Sequence, residues 1–308
     1  MNIIKGKIQR PQRVVIYGVE SVGKSTFAAQ FPSPLFFDIE GGTAHLDTDR
    51  VPVTSWQELL GGLAAATKTP YQTIVLDSVD WAERLCVEDL LATSKKQSVE
   101  DFGYGKGWVM VAERMSRFLS ACDRAIEAGK NVVVIAHSKV QRVEPPDLLA
   151  AYDRYELKLS KQSSPLVKEW ADELWFFRFK VKAIAQENGR AKGIGGKERV
   201  ILTTHSAAYD AKTRSGLAEE LPLEWSSVAH LFPQAAKPAP AAQIGKETKD
   251  AVALLESHEG PVNAYLAARG SIQPGQTWRD ASEKLLAQIM ERPQALIDKA
   301  TSQPVEAA

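Results

Sequence analysis

The stretch GVESVGKST at residues 18–26 directly continues the apolar run RVVIYG at 13–18. It satisfies G-x-x-x-x-G-K-[ST] in full, at a point where a β-rich run gives way to a segment of helical character, the context in which that motif holds phosphate. The glycines let backbone N–H groups turn inward around phosphate oxygens, and the helix that follows adds the partial positive charge of its N-terminus. Gly18, Ser21, Val22, Gly23, Lys24, Ser25 and Thr26 are therefore candidate nucleotide-binding residues. Lys24 is placed to reach the β and γ phosphates and Ser25 to hold a metal ion, so the stretch predicts a bound purine nucleotide, ATP, with Mg²⁺.

The rest of the chain repeats the strand-to-helix pattern. Strand candidates are 13–18, 34–40, 73–78, 131–138, 173–185 and 198–204, and helical period is found from Ser25 and over 55–67, 79–92 and 108–129. Strands alternating with helices predict an α/β fold with a mainly parallel sheet covered on both faces. The last two strand candidates lie close together and partly alternate, which suits antiparallel additions at one edge. Residues 1–234 read as this core. An Ala/Pro-rich linker follows at 235–246, and 247–308 reads as a small helical module.

Composition narrows the function classes. Of the 308 residues, 44% are hydrophobic and 25% charged, as in an ordinary globular protein. Lys plus Arg equals Asp plus Glu at 38 each, so no global basic field advertises nucleic acid, and contact with it must come from local clusters or from several subunits together. Cys86 and Cys122 fall in helical segments and make no metal-ligand or disulfide framework. The N-terminal residues lack the apolar core of a signal peptide and no run approaches 18 apolar residues, so a cytoplasmic protein without a membrane span is expected.

Two carboxylates complete the candidate site. The run TIVLDS ends its apolar stretch in Asp77, at the C-terminal edge of a buried strand, where ligands of open α/β sheets gather, and Asp77 is a candidate for the Mg²⁺ shell. PLFFDIEGG brings Glu40 to another strand tip, where a carboxylate can act as general base toward water; Asp38, two residues earlier, points elsewhere or along the strand.

These residues in this order resemble the ATPase core of the RecA family of recombinases, over roughly 11–233: the P-loop, FFDIEGGTAHLD with Glu40, Leu46 and Asp47, TIVLDSV with Asp77 and Ser78, and VVVIAHSKV with His137. Among them the chain looks most like the compact phage-encoded ATP-binding proteins, some of which act in single-strand annealing or recombination. The resemblance implies a RecA-like P-loop core, with Glu40 as catalytic base and His137 as the residue that senses the γ-phosphate. Lys212 and Arg214, in YDAKTRSGL, resemble the Lys-x-Arg pair that reaches a neighbouring subunit's phosphate. It also implies self-assembly into a ring or filament, single-stranded DNA as partner, and residence in the cytosol of a bacterial host; the C-terminal helices either dock a partner such as a single-strand-binding protein or cap the core.

Two segments correspond to the DNA-facing loops of that family. In 95–108 glycines alternate with Phe102, Tyr104, Lys106 and Trp108, the flexible backbone, aromatic planes and cation that sequence-tolerant binding of single strands needs. In 138–165, Lys139, Arg142, Arg154, Lys158 and Lys161 can track phosphates, diluted by Glu144, Asp147, Asp153 and Glu156. The leading expectation is an ATP-dependent recombination protein that binds single-stranded DNA and promotes annealing. A RecA-like helicase or helicase loader, and a nucleotide-dependent switch that binds protein partners, stand beside it.

Overall fold

The computed structural model of the chain describes residues 5–6, 10–144, 150–185, 191–232, 254–273, 276–278, 285, 289 and 293–302. The chain divides into two compact units, Met1–Gln234 and Ala235–Ala308.

In the first unit the P-loop strand β1 (Arg13–Gly18) is central. Its alternate residues Val15 and Tyr17 enter one apolar core while Val14 and Ile16 enter another, and all four are fully buried. A strand apolar on both sides needs cover on both sides, which is the physical reason for a three-layer arrangement. The parallel part of the sheet contains β2 (Pro34–Asp38), β3 (Asp49–Pro52), β4 (Thr73–Asp77), β5 (Asn131–Val143) and β7 (Glu173–Ala185), in the order β3-β2-β4-β5-β1-β7. Then come β8 (Ala191–Leu202) and β9 (Glu220–Pro222), both antiparallel to their neighbours. β6 (Tyr152–Leu157) pairs with the outer half of β5 as an antiparallel hairpin. Among the described residues these nine strands form one sheet.

Helices α2 (Trp56–Ala66), α3 (Val79–Ser94), α4 (Lys106–Glu127) and α5 (Ser163–Trp170) contribute to the larger core. α4 does so with Val111, Met115, Phe118, Cys122 and Ala125, spaced three to four apart so that they fall on one stripe. The short α1 (Lys24–Ala28) contributes to the other core, where Phe27 meets Phe177 edge-to-face at 5.1 Å. Cys86 and Cys122 are free thiols inside α3 and α4. The expected α/β architecture with antiparallel strands at one edge is what forms. The polar strands β3 and β6 and the helix α5 were not foreseen, and the strand expected over 34–40 ends at Asp38.

In the second unit, α6 (Glu259–Ala268) and α7 (Pro293–Ser302) share a small core with Leu255, Val262, Leu266, Trp278 and Ile297. The linker expected at 235–246 lies outside the described residues. Among the described residues no helix is long and apolar enough to cross a membrane.

Candidate functional site

The sheet register brings the candidate residues to one edge. Gly18 at the end of β1 is level with His137 of β5 and Phe177 of β7, and Asp77 of β4 is level with Asp38 of β2 and Ile135 of β5. β5 lies between the P-loop strand and the strand that ends in Asp77, so His137 is interposed between the phosphate loop and the acidic strand tips.

At Gly18 there is no room for a side chain: an added Cβ would lie 2.1 Å from the Phe177 carbonyl oxygen. Gly23 has φ +101°, a left-handed conformation that glycine adopts without strain, and it starts α1. The Lys24 ammonium, almost buried, folds back to donate to the carbonyls of Gly18 (3.2 Å) and Val19 (3.0 Å). Burial lowers its pKa, opposed by the charges of Asp77, Asp80, Glu40 and Glu20. Among the neighbouring groups, the Ser25 hydroxyl donates to Asp77 Oδ2 at 2.6 Å. Burial pushes the Asp77 carboxyl up to about 6; Glu40 and Asp38 add to the rise, while the Ser25 bond and Lys24 oppose it. Two hard oxygen donors in contact, one on a buried carboxylate reluctant to ionise alone, fit Mg²⁺, which takes one or two protein oxygens and completes its shell with water and phosphate. Ser25 and Asp77 would hold it.

The two acids at and just beyond the end of β2 divide their work. Asp38 accepts from the N–H groups of Gly41 (2.8 Å), Gly42 (3.1 Å) and Thr43 (3.3 Å) and from the Thr43 hydroxyl (2.5 Å), so it fastens the loop 39–43. Glu40 rides on that loop with its side chain 32% exposed. Its backbone N–H donates to the Asp77 carbonyl (3.3 Å), and its Oε2 accepts from the Ser78 hydroxyl (3.3 Å) and lies 3.8 Å from His137 Nε2. The Asp77–Ser78 peptide is cis.

Two residues of this edge escaped the sequence reading. Asp80, in the first turn of α3, accepts from both the backbone N–H (3.1 Å) and the ring Nδ1 (2.9 Å) of His137. That side-chain bond is the main reason the imidazole pKa is raised, against burial. Burial would raise the Asp80 pKa, yet its bonds to His137 outweigh it and the net shift is downward. Arg199 of β8 donates from Nη1 to the Val22 carbonyl (3.1 Å), and the same nitrogen would be 2.7 Å from a Cβ on Gly23. A cation of the same subunit thus braces the P-loop.

Other sequence candidates lie elsewhere. Lys212 is level with Leu174, which pairs with Val15, three residues or roughly 10 Å short of Gly18. Its ammonium donates to the carbonyls of Lys168 (2.8 Å) and Glu169 (3.4 Å) at the end of α5. Arg214 pairs with Asp172 at 2.9 Å. Both are engaged within the subunit and away from its own P-loop, so to meet a neighbour's phosphate they must first release these partners. Arg154 pairs with Glu156 (3.1 Å) and Asp210 (2.5 Å), and Lys139 donates to the Leu159 carbonyl (2.5 Å), so these two are turned inward and not toward a ligand. Arg142, Lys158 and Lys161 are exposed. Phe102 and Trp108 pack against the larger core and frame the start of α4, whereas Tyr104 is fully exposed and Lys106 begins the helix in solvent.

Beyond Gly18 the sheet opens. The β5–β6 hairpin rises on one side, the outer halves of β7 and β8 rise on the other, and between them lies a cleft of about 600 Å³ with Val19 and Glu20 of the P-loop in its lining.

Comparison with known proteins matches residues 10–215 to the AAA domain family. No curated protein matches. Among solved structures, the KaiC-like protein PH0186 from the hyperthermophilic archaeon Pyrococcus horikoshii OT3 is 12% identical, over 69% of this chain and 85% of that one, with a TM-score of 0.38.

Proposed function

We propose that the chain, which belongs to the AAA domain family, hydrolyses ATP and couples the nucleotide cycle to single-stranded DNA, in annealing or recombination. Lys24 exchanges its two carbonyl acceptors for phosphate oxygens, a charge-assisted replacement for neutral hydrogen bonds. Glu40 accepts the proton of the attacking water, its carboxylate oriented by Ser78 and faced by His137. Mg²⁺ on Ser25 and Asp77 would supply positive charge at the transferring phosphoryl group.

The observation that supports the DNA partner is the shared edge. The β7–β8 ribbon leaves the sheet beside the P-loop, and its strand residues from 178 onward include Arg178, Lys180, Lys182, Lys192, Lys197 and Arg199 against one acid, Glu198. Lys180 is paired with Glu220 and Glu198, but the local balance remains positive in a chain of zero net charge. Self-association would align several ribbons and multiply a weak attraction for phosphates. A second reading, a nucleotide-dependent switch for a protein partner, draws on the exposed Tyr104, Val109 and Met110 at the start of α4.

The deciding experiment is ATP hydrolysis by the full chain with and without single-stranded DNA, beside Lys24→Ala and Glu40→Gln. Stimulation by DNA that both substitutions abolish is the expected result. Hydrolysis indifferent to DNA would move the conclusion to the protein-binding switch, and wild-type turnover in Glu40→Gln would remove Glu40 as base.

A further inference from the structure

Asp80 stands three residues after Asp77 in the first turn of α3, with its side chain 7% exposed. One of its oxygens accepts from the backbone N–H of His137 and the other meets the ring at Nδ1, so a single carboxylate fixes both the backbone of β5 at its midpoint and the rotation of the imidazole. With Nδ1 committed, Nε2 is left facing Glu40 Oε2 at 3.8 Å, the oxygen that also accepts from Ser78. A chain of carboxylate, imidazole and carboxylate therefore runs from the start of α3, over the middle of β5, to the loop after β2.

We propose that Asp80 is a positioning residue of the hydrolytic site: it holds the Nδ1–H of His137 and so keeps Nε2 aimed at the Glu40 carboxylate. The inference rests on the reading of Glu40 as the base. A neutral imidazole has one N–H and one acceptor nitrogen, and which is which follows from the partner of the other nitrogen. An anionic acceptor on Nδ1 keeps the proton there in the neutral ring and leaves Nε2 as an acceptor; in the imidazolium Nε2 becomes a donor to Glu40. In either form the ring cannot swing away without abandoning Asp80. A free glutamate on a loop samples several rotamers, whereas one that accepts from the Ser78 hydroxyl, and from Nε2 when the ring is an imidazolium, is held where water must be received. The Ser-His-Asp triad uses a buried carboxylate in the same way, and there a change to Asn disturbs the tautomer while the geometry survives.

The test uses the full chain labelled with ¹⁵N-histidine, the His137 signals being identified by their loss in His137→Gln. Wild-type protein without nucleotide should show His137 with its proton on Nδ1. In Asp80→Asn the amide group donates to Nδ1, and the signals should change to those of the Nε2–H tautomer or of a mixture. The same variant should lose about 10- to 100-fold in kcat, the range seen when carboxylates behind metal-bound histidines are removed. Nucleotide affinity should stay within about twofold, and Asp80→Glu should recover part of the rate. An unchanged tautomer in Asp80→Asn, or an unchanged kcat with only a lowered melting temperature, overturns the proposal and leaves Asp80 as a structural tie between α3 and β5. If the wild type itself does not hydrolyse ATP while binding it, the hydrolysis reading fails and takes the catalytic consequence with it; the histidine spectra judge the ring geometry separately.

Discussion

Asp77 carries a cost in the folded state that the proposed Mg²⁺ would offset. Its carboxyl is pushed up to about 6 from an ordinary 3.8, first by burial and then by its acidic neighbours, so the folded state holds the proton more tightly than the unfolded chain does. The sign follows: this group favours folding below about pH 4, and its contribution is withdrawn as pH rises through 6, a loss of about 3 kcal/mol at neutrality. Asp77→Asn, measured without Mg²⁺, should therefore melt higher than wild type at pH 7.5, by about 2 to 4 °C for each kcal/mol recovered. The advantage should shrink toward pH 4, and hydrolysis should be lost. Scanning calorimetry across that range checks it, and a gain independent of pH would mean that ionisation of Asp77 is not its source. Asp38 shows the opposite economy, because its carboxylate is spent wholly on the loop that carries Glu40. Asp38→Ala should cost about 2 kcal/mol from several lost hydrogen bonds, and it should lower kcat more than it raises KM, as steady-state kinetics would record. The meeting of Lys24, Ser25 and Asp77 at one end of the sheet was legible because motif and strand tip announce their positions locally. Asp80 and Arg199 were not: their partners lie 57 and 177 residues away, and nothing in VDWAE or KERVI marks a carboxylate as the acceptor for an imidazole or an arginine as a brace for a glycine loop.

At the scale of elements, β6 illustrates how charged side chains serve folding. Arg154 and Glu156 on β6 join Lys168 of α5 and Asp210 in a cluster with side chains only 13–24% exposed, and Tyr17 of β1 donates to the Asp210 carbonyl at 2.5 Å. Burial would lower the Lys168 pKa, but its bonds to Asp210 and Glu156 outweigh it and the ammonium stays charged. Asp210→Ala leaves two cations short of a partner and should destabilise the chain by about 2 to 3 kcal/mol, below the 3–5 kcal/mol of a fully buried pair because water reaches this one. Denaturant titration reads that loss. Arg154→Ala should likewise act on stability and leave the salt dependence of DNA binding unchanged, whereas replacing exposed Arg142, Lys158 and Lys161 should not touch stability. The central strands were readable because two buried faces demand an unbroken apolar run, as in VVIY and TIVL. β3 and β6, DRVP and YDRYEL, were not, since an edge strand and a hairpin arm need no apolar run and their pairing is decided by neighbours. The sequence of 138–165 did not show that Arg154 and Lys139 meet partners within the chain, because periodicity does not say which side of a hairpin faces the core.

For the whole molecule, zero net charge and a basic ribbon make a joint demand. A neutral protein draws no polyanion from a distance, so an affinity for single strands must come from the few phosphates that its local cations neutralise, and it must show that number in its salt dependence. Between about 50 and 200 mM salt the affinity for a fluorescent single strand, with Mg²⁺ and ATP held constant, should fall along a straight line of log K against log salt. Each phosphate contact on a single strand contributes about 0.7 to that slope, so replacing Lys182 and Lys192 together by Ala should flatten it by about 1.4. ATP hydrolysis without DNA should remain at the wild-type rate in that variant, because neither residue belongs to the group around Gly18, Asp77 and Glu40. If self-association supplies the affinity, binding should also steepen with protein concentration and lose that steepness when ATP is omitted. A slope that does not change in the double variant would place the phosphates elsewhere. An affinity that does not respond to salt at all would remove phosphate contacts as its basis, and undetectable binding with ATP present would remove single-stranded DNA as the partner and leave the exposed Tyr104, Val109 and Met110 as the surface through which the nucleotide state is read.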